Sequence, residues 1–170
     1  MKLKTEIFSK FHYRKEFDCG NEILNNYLKN QVSQDVKKKL AVCFVYVEPD
    51  NEVEFVKGYF TLSNYGISRD LIPENLQKKF PRSYLTIPTT LLGRLARDKN
   101  CKQSRVGEFL LMDALYKAYQ ISLKMGSMAV VVDAIDDNAI SFYEHYGFEL
   151  LDSKKLFLPM KTIATKFDRG

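Results

Sequence analysis

Six consecutive residues have the types and spacing to bind an anion without a metal ion. They read Lys102-Gln103-Ser104-Arg105-Val106-Gly107, after an apolar segment that ends near Arg97 and before apolar residues at helical spacing. The first N–H groups of a helix have no partner inside it, and the helix dipole places positive charge there. Strand, basic turn and helix in this order therefore predict a phosphate site at the turn. The same order also occurs with a purely structural role, and the turn alone does not separate the two interpretations.

Two further segments follow this turn. Residues 128–133 form a β-rich run, and residues 138–148 read as a short helix that ends at Gly147 and returns to a strand. Together with the turn, this order resembles the GNAT acetyltransferases, whose cofactor loop reads Gln/Arg-x-x-Gly-x-Gly/Ala. The late helix of that family often carries an asparagine, then Phe-Tyr, then Gly-Phe, as Asn138, Tyr143 and Phe148 exemplify here.

The resemblance extends over nearly the whole chain. Within the family, the chain is similar in sequence to one branch. The segments that carry it are 17–21 (Phe-Asp-Cys-Gly-Asn), 58–62 (Gly-Tyr-Phe-Thr-Leu), 91–96 (Leu-Leu-Gly-Arg-Leu-Ala) and 156–160 (Leu-Phe-Leu-Pro-Met). That branch comprises toxins encoded beside a small antitoxin, which acetylate aminoacyl-tRNA. The resemblance implies acetyl-CoA as the cofactor, charged tRNA as the acceptor, a possible antitoxin partner and a homodimer.

The cofactor loop departs from the family pattern at two positions. Aligned on Gly107, Lys102 stands where the family prefers Gln or Arg, and Arg105 replaces the first glycine. A residue with a side chain fits there if its φ is negative, and it is costly only if the position requires a positive φ. Arg105 also adds positive charge beside the expected diphosphate. If its φ is negative, the replacement is therefore neutral or helpful for cofactor binding.

The resemblance also assigns cofactor contacts residue by residue. It implies that the main chain of Leu95, Ala96 and Arg97 holds the pantetheine arm. It also implies that the diphosphate is bound by Lys102, Gln103, Ser104, Arg105, Val106 and Gly107. Asn138 would reach the cofactor near its pantetheine end, and an N-cap is an alternative role for it that does not exclude the first.

Tyr143 is the residue that we expect to take part in the chemistry. Acetyl transfer to an amine expels the thiolate of coenzyme A, and a phenol with an ordinary pKa of about 10 is a suitable proton donor. Helical periodicity turns Phe142 and Tyr146 toward the sheet and leaves Tyr143 another direction. A structural role is the alternative, because the chain has 10 tyrosines. We expect His145 to lie at the surface.

No general base is evident, and this favours an α-amine as the acceptor. The α-amino group of an aminoacyl ester titrates near or below about 7.7, whereas a lysine amine, at about 10.4, needs help to lose its proton. A water chain that ends at Asp98, Glu108 or a backbone carbonyl would serve either acceptor. A backbone N–H of the central strand is the expected donor to the thioester carbonyl.

Composition is compatible with one soluble domain over residues 1–170. The chain is 45% hydrophobic and 28% charged, which is ordinary for a globular protein. Its three cysteines have no close pair, and with two histidines they predict neither a disulfide framework nor a metal site. The N-terminus has no apolar signal segment and no run has membrane-spanning length, so we expect a cytoplasmic protein without membrane contact.

The basic residues are grouped rather than dispersed. The formal net charge is +5, and the groups include Lys37, Lys38 and Lys39 in one segment and Arg82 in another. If these groups share one face, they bind the phosphates of tRNA through backbone charge and shape, because no sequence motif for base readout is present. A solvated basic surface is the alternative.

The remaining pattern predicts an α/β fold of the GNAT type. We expect a mixed, mostly antiparallel sheet with helices on both faces, in which the strands around 92–97 and 129–133 splay apart. Asn21 should cap a first helix, residues 41–47 and 55–64 should be paired strands joined by a turn at 48–51, and Pro73 should begin a short helix. The central strand should run from Thr89 to Arg97.

Two other functions remain open at this level. The chain could acetylate a protein amine or a small amine, for which an acidic acceptor groove is expected near Tyr143. It could also be a non-catalytic acyl-CoA-binding module, which the altered cofactor loop would allow. Transfer of acetyl to charged tRNA would exclude both.

Overall fold

The strands form one mixed, mostly antiparallel sheet. The computed structural model describes residues 3–168. The strands are β1 (Glu6–Ile7), β2 (Val42–Asp50), β3 (Val53–Ser68), β4 (Thr86–Arg97), β5 (Ala129–Asp133), β6 (Glu149–Leu150) and β7 (Lys155–Pro159). Their order in the sheet is β1-β2-β3-β4-β5-β7-β6. The expected fold class is confirmed.

Six α-helices and two helical turns of other types connect the strands of the described chain. The α-helices are α1 (Glu22–Asn26), α2 (Val32–Lys37), α3 (Glu74–Gln77), α4 (Val106–Ser122), α5 (Asp137–His145) and α6 (Met160–Phe167). A π-helical turn, Tyr27–Gln31, joins α1 to α2, and a 3₁₀ turn, Arg69–Leu71, precedes α3. No helix within residues 3–168 is long and apolar enough to cross a membrane.

The chain divides into two compact units, and the first comprises Met1–Ser63 and Gly93–Ala114. Its core is built on aromatic side chains: Phe17 and Tyr59 meet edge to face with ring centroids 5.6 Å apart. Asn21 caps α1 as predicted, because its side-chain oxygen accepts the Leu24 N–H at 3.1 Å. β2 pairs with β1 on one side and β3 on the other, so it is an interior strand, as its apolar sequence indicates.

A glycine lets the start of α4 pack closely within this first unit. A Cβ on Gly58 of β3 would lie 2.9 Å from Leu110 Cδ1, closer than side chains tolerate. Val106 and Leu110, on the same face of α4, are fully buried. The missing side chain therefore leaves room for the Leu110 side chain between α4 and β3.

The second unit comprises Asn64–Leu92 and Leu115–Gly170. Ile67, Ile72, Val131 and Phe157 form its buried core. The parallel pairing of β4 with β5 covers Thr90 to Leu92, and β4 continues as a strand to Arg97. The parallel ladder is therefore short, because β5 ends at Asp133, and the last five residues of β4 extend beyond it.

The β2–β3 connection differs from the sequence prediction. The turn was expected at residues 48–51, but β2 runs to Asp50, and the two turn residues are Asn51 and Glu52, with φ of 48° and 68°. A two-residue turn with both φ values positive matches the twist of a hairpin. The correction matters because it places Glu48 inside a strand, next to a register shift between Tyr46 and Val47.

Candidate functional site

The start of α4 has the unpaired donors that an anion site needs. The first hydrogen bond of the helix runs from the Phe109 N–H to the Arg105 carbonyl at 3.0 Å. The N–H groups of Val106, Gly107 and Glu108 precede it and have no carbonyl of their own helix to bind. Lys102, Gln103, Ser104 and Arg105 are all exposed, so this turn is open to a ligand.

A buried carboxylate holds the first part of the turn. Glu48 is 8% exposed, and its oxygens accept the Lys102 N–H at 3.0 Å and the Gln103 N–H at 3.4 Å. The Tyr46 hydroxyl donates to the same carboxylate at 3.2 Å, and burial together with Glu48 raises the pKa of Tyr46 to about 12. Because Lys102 and Gln103 use their N–H groups within the protein, the donors left for a diphosphate belong to the residues that follow them.

A second buried carboxylate fixes the end of β4. Asp98 is 1% exposed and accepts the Asp18 N–H at 2.9 Å and the Asn100 N–H at 2.7 Å. The Asp98 N–H in turn donates to the Lys57 carbonyl at 2.9 Å. The proposal that Asp98 ends a proton-accepting water chain is therefore wrong, because its two oxygens are buried and occupied by backbone donors.

Arg105 has the backbone conformation that the family glycine is suited to. Its φ is 61°, in the left-handed region. A side chain in this region costs about 1–2 kcal/mol relative to glycine. The replacement of glycine by Arg105 would be harmless only if φ were negative, and φ is positive. The positive charge of Arg105 is therefore accompanied by backbone strain where the turn enters α4.

Gly107 has no structural reason to be glycine in this chain. A Cβ at this position would have no atom within 4 Å, and its φ is not in the left-handed region. Neither packing nor backbone conformation therefore excludes a side chain here. The space beside Gly107 is free for a ligand that approaches the main chain.

Tyr143 lies on α5, whose ends are well defined. Asp136 caps the helix by accepting the Ala139 N–H at 2.8 Å, so the alternative that Asn138 is the cap is wrong; Asn138 is exposed in the first turn. Gly147, with φ of 96°, ends α5 as predicted. The Phe148 N–H then returns to the Tyr143 carbonyl at 3.2 Å.

The direction of Tyr143 differs from the helical-wheel expectation. Tyr143 is 8% exposed, whereas Phe142 and Tyr146 are only partly buried. Its ring packs against Phe142 and Phe148, with both centroids 5.3 Å away. The interpretation that Phe142 and Tyr146 alone face inward is therefore wrong, and His145 is exposed as expected.

The Tyr143 hydroxyl keeps access to the surface although its ring is buried. It makes no hydrogen bond to another residue of 3–168, and no fully buried side-chain nitrogen or oxygen in this range lacks a partner. The hydroxyl is therefore available to a ligand. Burial raises its pKa well above the ordinary value of about 10, so it stays protonated and acts as a hydrogen-bond donor.

The residues expected to bind tRNA are exposed. Lys37 ends α2, Lys38 and Lys39 follow it, and Lys39 has a φ of 62°. These three lysines belong to the first unit and Arg82 belongs to the second. Each of the four side chains is accessible to a phosphate.

Glu6, His12 and Glu54 form a cluster that the sequence did not indicate. His12 Nε2 lies 3.6 Å from a carboxylate oxygen of each glutamate. The His12 Nδ1 accepts the Ser9 N–H at 2.9 Å, so the neutral ring carries its proton on Nε2. A metal ion at Nε2 would have to displace that proton, and the cluster is better described as a donor facing two carboxylates.

Comparison with known proteins connects this geometry to an activity. No protein-family model matches the chain. A tRNA-acetylating toxin of Mycobacterium tuberculosis is 28% identical over 142 residues, which cover 84% of this chain and 81% of the relative. A probable toxin TacT of Sinorhizobium fredii is 26% identical over 163 residues, covering 91% and 88%.

Solved structures are similar over almost the whole length. A KacT mutant with one tyrosine changed to phenylalanine is 31% identical, with a TM-score of 0.91, and the match covers 98% of this chain and 100% of that one. The chain belongs to the GNAT toxin acetyltransferases. AtaT complexed with acetyl-methionyl-tRNAfMet is 30% identical with a TM-score of 0.87 over 98% of this chain and 99% of AtaT. AtaTR bound with acetyl-CoA is 28% identical with a TM-score of 0.81 over 97% and 98%.

Glu48 is the site residue of this GNAT toxin that the sequence did not reveal. It lies 54 positions before Lys102 in the chain, and the hairpin brings the two together. A Glu-Pro-Asp-Asn stretch reads as a turn, which hides a buried carboxylate. The one available signal was the apolar run before it, which indicates an interior strand of uncertain length.

The conformation of Arg105 can be tested by comparing two substitutions that both remove its charge. At φ of 61°, Arg105→Gly relieves the strain and Arg105→Ala retains it. We expect the glycine variant to exceed the alanine variant in free energy of unfolding by about 1 kcal/mol. Urea denaturation measures the difference. Elsewhere alanine exceeds glycine by about 0.5–1 kcal/mol, and that ordinary order would contradict the positive φ.

Gly107→Val tests whether a ligand approaches the main chain at the start of α4. We expect coenzyme A affinity to fall about tenfold or more, because one charge-assisted contact is worth about 1.5–3 kcal/mol. The melting temperature should not fall, since the added Cβ meets no atom within 4 Å. Calorimetric titration measures the affinity. Gly126→Val is the matched control, because a Cβ there also meets nothing, and equal affinity in both variants would place the diphosphate elsewhere.

Proposed function

We propose that this chain transfers the acetyl group of acetyl-CoA to the α-amino group of aminoacyl-tRNA and thereby blocks translation. The observation that carries the proposal is the presence, in one chain, of a strand end without a β5 partner and a helix start with free N–H groups. The end of β4 runs beyond its parallel ladder, and the N–H groups at the start of α4 precede its first helical bond. An amide-bearing arm that ends in a diphosphate complements both segments.

The cofactor contacts follow from these segments. The main chain of Leu95, Ala96 and Arg97 pairs with the pantetheine arm, and the N–H groups of the partly exposed Gly107 and Glu108 hold the diphosphate. Val106 is fully buried and acts only by anchoring the first turn of α4. Ser104 and Arg105 add exposed polar and basic side chains at the same turn. Lys102 and Gln103 contribute their side chains only, because Glu48 binds their N–H groups. Asn138, exposed in the first turn of α5, is assigned to the cofactor near its pantetheine end by the family resemblance.

Tyr143 supports departure of the thiolate. The neutral amine attacks the thioester carbonyl, the C–S bond breaks, and the negative charge collects on sulfur. A phenol whose pKa is raised by burial does not surrender its proton readily, so Tyr143 stabilises the thiolate by donating a hydrogen bond. The amine loses its own proton to water.

The acceptor is an α-amine rather than a lysine side chain. Asp98, the nearest carboxylate in sequence to the end of β4, is buried and bound by backbone donors. An amine that is partly neutral at physiological pH needs no base of the protein, and the α-amine of an aminoacyl ester meets this condition. The complex of AtaT with acetyl-methionyl-tRNAfMet supports this acceptor by similarity.

The partners follow the same similarity. AtaT is known bound to the C-terminus of the antitoxin AtaR, and we propose that a small antitoxin binds this chain as well. We also propose a homodimer, whose two basic surfaces would share one tRNA. Charged tRNA and acetyl-CoA are both cytoplasmic, and we place the protein in that compartment.

The experiment that tests the function offers several acceptors at once. The protein is incubated with labelled acetyl-CoA and a mixture of charged tRNAs, proteins and polyamines, and each fraction is separated and counted. Label retained by charged tRNA and released by mild base is the expected result. Label in the protein or polyamine fraction alone would replace the proposal with a protein-amine or small-amine enzyme.

Tyr143→Phe tests the proposed hydrogen-bond donor. We expect turnover to fall by about 10²- to 10³-fold, the cost of losing one hydrogen-bond donor to developing charge, with coenzyme A affinity and melting temperature retained. Because its pKa is raised, wild-type turnover should show no basic limb from this hydroxyl below about pH 10. Tyr116→Phe, at an exposed position of α4, is the control and should turn over normally. Full activity of Tyr143→Phe with chemistry rate-limiting would remove the hydroxyl from the mechanism.

Replacing Lys37, Lys38 and Lys39 by Gln tests the tRNA contact. Each phosphate contact contributes a slope of about 0.7–0.9 to the fall of log affinity with log salt, so the triple variant should lower the slope by about 2–3. The KM for charged tRNA should rise, and turnover of a minimal amine substrate should not change. The matched control replaces Lys124, Lys161 and Lys166, three exposed lysines of the second unit. Equal slopes in the two triple variants would mean that Lys37, Lys38 and Lys39 do not touch tRNA.

A further inference from the structure

The first unit contains a groove of about 280 Å³ that the cofactor contacts do not use. Its lining comprises Glu22, Ile23, Asn26, Tyr27, Gln31 and Arg94. Arg94 is the neighbour of Leu95 in β4, whose main chain we assign to the pantetheine arm. A molecule in this groove would therefore lie beside the strand that carries the acyl donor.

Arg94 is fixed in this groove by an aromatic platform. The guanidinium carbon lies 3.6 Å from the centroid of the Tyr27 ring, and Tyr27 is 2% exposed. The Tyr27 hydroxyl donates to Asp35 at 3.0 Å, and its ring stacks on Tyr59 at 6.2 Å with planes 15° apart. The stack holds the guanidinium plane in one orientation before any ligand arrives.

An irregular helical turn builds the same wall. Tyr27–Gln31 is π-helical, and the Val32 N–H closes it by donating to the Tyr27 carbonyl. Such turns are rare and occur frequently at functional sites, because an extra residue redirects the side chains. Here Tyr27 and Gln31, at the two ends of the turn, both line the groove.

The donors of Arg94 are unused within the protein. No hydrogen bond or ion pair found in residues 3–168 involves its guanidinium group, and the contact with Tyr27 occupies only one face. Five N–H groups in a planar fork therefore remain for a ligand. Phosphate is the group whose geometry matches that fork.

Glu22 narrows the choice of ligand. Its exposed carboxylate lies in the first turn of α1 and lines the groove together with Arg94. A simple polyanion would be repelled by this carboxylate, whereas a molecule that carries an amine close to a phosphate satisfies both charges. The aminoacylated end of an RNA has this combination.

We propose that the groove binds the 3′-terminal nucleotide of the charged tRNA, with the Arg94 guanidinium donating to the phosphate that precedes it. This proposal rests on the proposed function and assigns a part of its substrate to a site. Glu22 attracts the ammonium form of the acceptor as it approaches, before the amine loses a proton to water and attacks, and the exposed Ile23 offers an apolar contact to the aminoacyl side chain. The phosphate contact thereby positions the amine beside β4.

The test pairs a change in the protein with a change in the substrate. The substrate is a chemically aminoacylated RNA minihelix. The phosphodiester that precedes its 3′-terminal nucleotide is either native or replaced by a neutral methylphosphonate. Arg94→Gln and the methylphosphonate should each raise the KM about 10- to 100-fold, the equivalent of one charge-assisted hydrogen bond. Combined, they should cost no more than either alone, because they remove the same contact.

Two further variants keep the result interpretable. Lys124→Gln removes one exposed charge outside the groove and should match the wild type with both minihelices. Arg94→Lys retains charge without the planar fork and should recover part of the loss, with coenzyme A affinity confirming the fold of each variant. Additive losses, or a wild-type KM for Arg94→Gln, would overturn the proposal. If the wild type acetylates neither the native minihelix nor full-length charged tRNA, the proposed function fails. The same four-way comparison of uncharged minihelix binding then still decides the role of the groove.

Discussion

The division of backbone N–H groups ahead of α4 is the constraint on which the site depends. The Glu48 carboxylate binds the N–H groups of Lys102 and Gln103, and the first helical bond starts only at Phe109. The backbone N–H groups between Gln103 and Phe109 are therefore gathered at the start of α4, and their orientation is fixed before a ligand binds. A carboxylate is a costly group to bury unless several donors satisfy it. The same donors that stabilise Glu48 also hold the turn in the shape that an anion requires.

Strain and charge are both concentrated at this turn. Arg105 adopts a positive φ of 61° where the family prefers glycine. Its positive side chain stands next to the expected diphosphate, so charge and backbone strain act in opposite directions at one residue. Arg94, which we propose binds the acceptor, is held differently. Its guanidinium stacks on Tyr27, and its backbone φ is not in the strained left-handed region. In the proposed arrangement the acceptor is held by Arg94, just before the Leu95–Arg97 segment in the chain, and the acyl donor is held near Arg105, after that segment.

Features that depend on neighbouring residues could be predicted from the sequence. The Asn21 cap, the helix stop at Gly147 and the strand before the cofactor loop all follow from local rules. Contacts between distant segments could not be predicted, because nothing local marks Glu48 as the partner of Lys102 or Tyr27 as the platform for Arg94. The environment of Tyr143 also escaped prediction, since Phe148, which lies just before β6, covers a ring that the helical wheel alone turns away from Phe142 and Tyr146.

The central claim is that the acceptor is the α-amine of a charged tRNA, and the identity of the reaction product tests it most directly. After incubation with acetyl-CoA, charged tRNA is digested with a nuclease and the released 3′-terminal aminoacyl-adenosine is analysed by tandem mass spectrometry. The account predicts an aminoacyl-adenosine that carries one additional acetyl group on its α-nitrogen. An unmodified aminoacyl-adenosine, with acetyl groups recovered on protein lysines or polyamines instead, would contradict it.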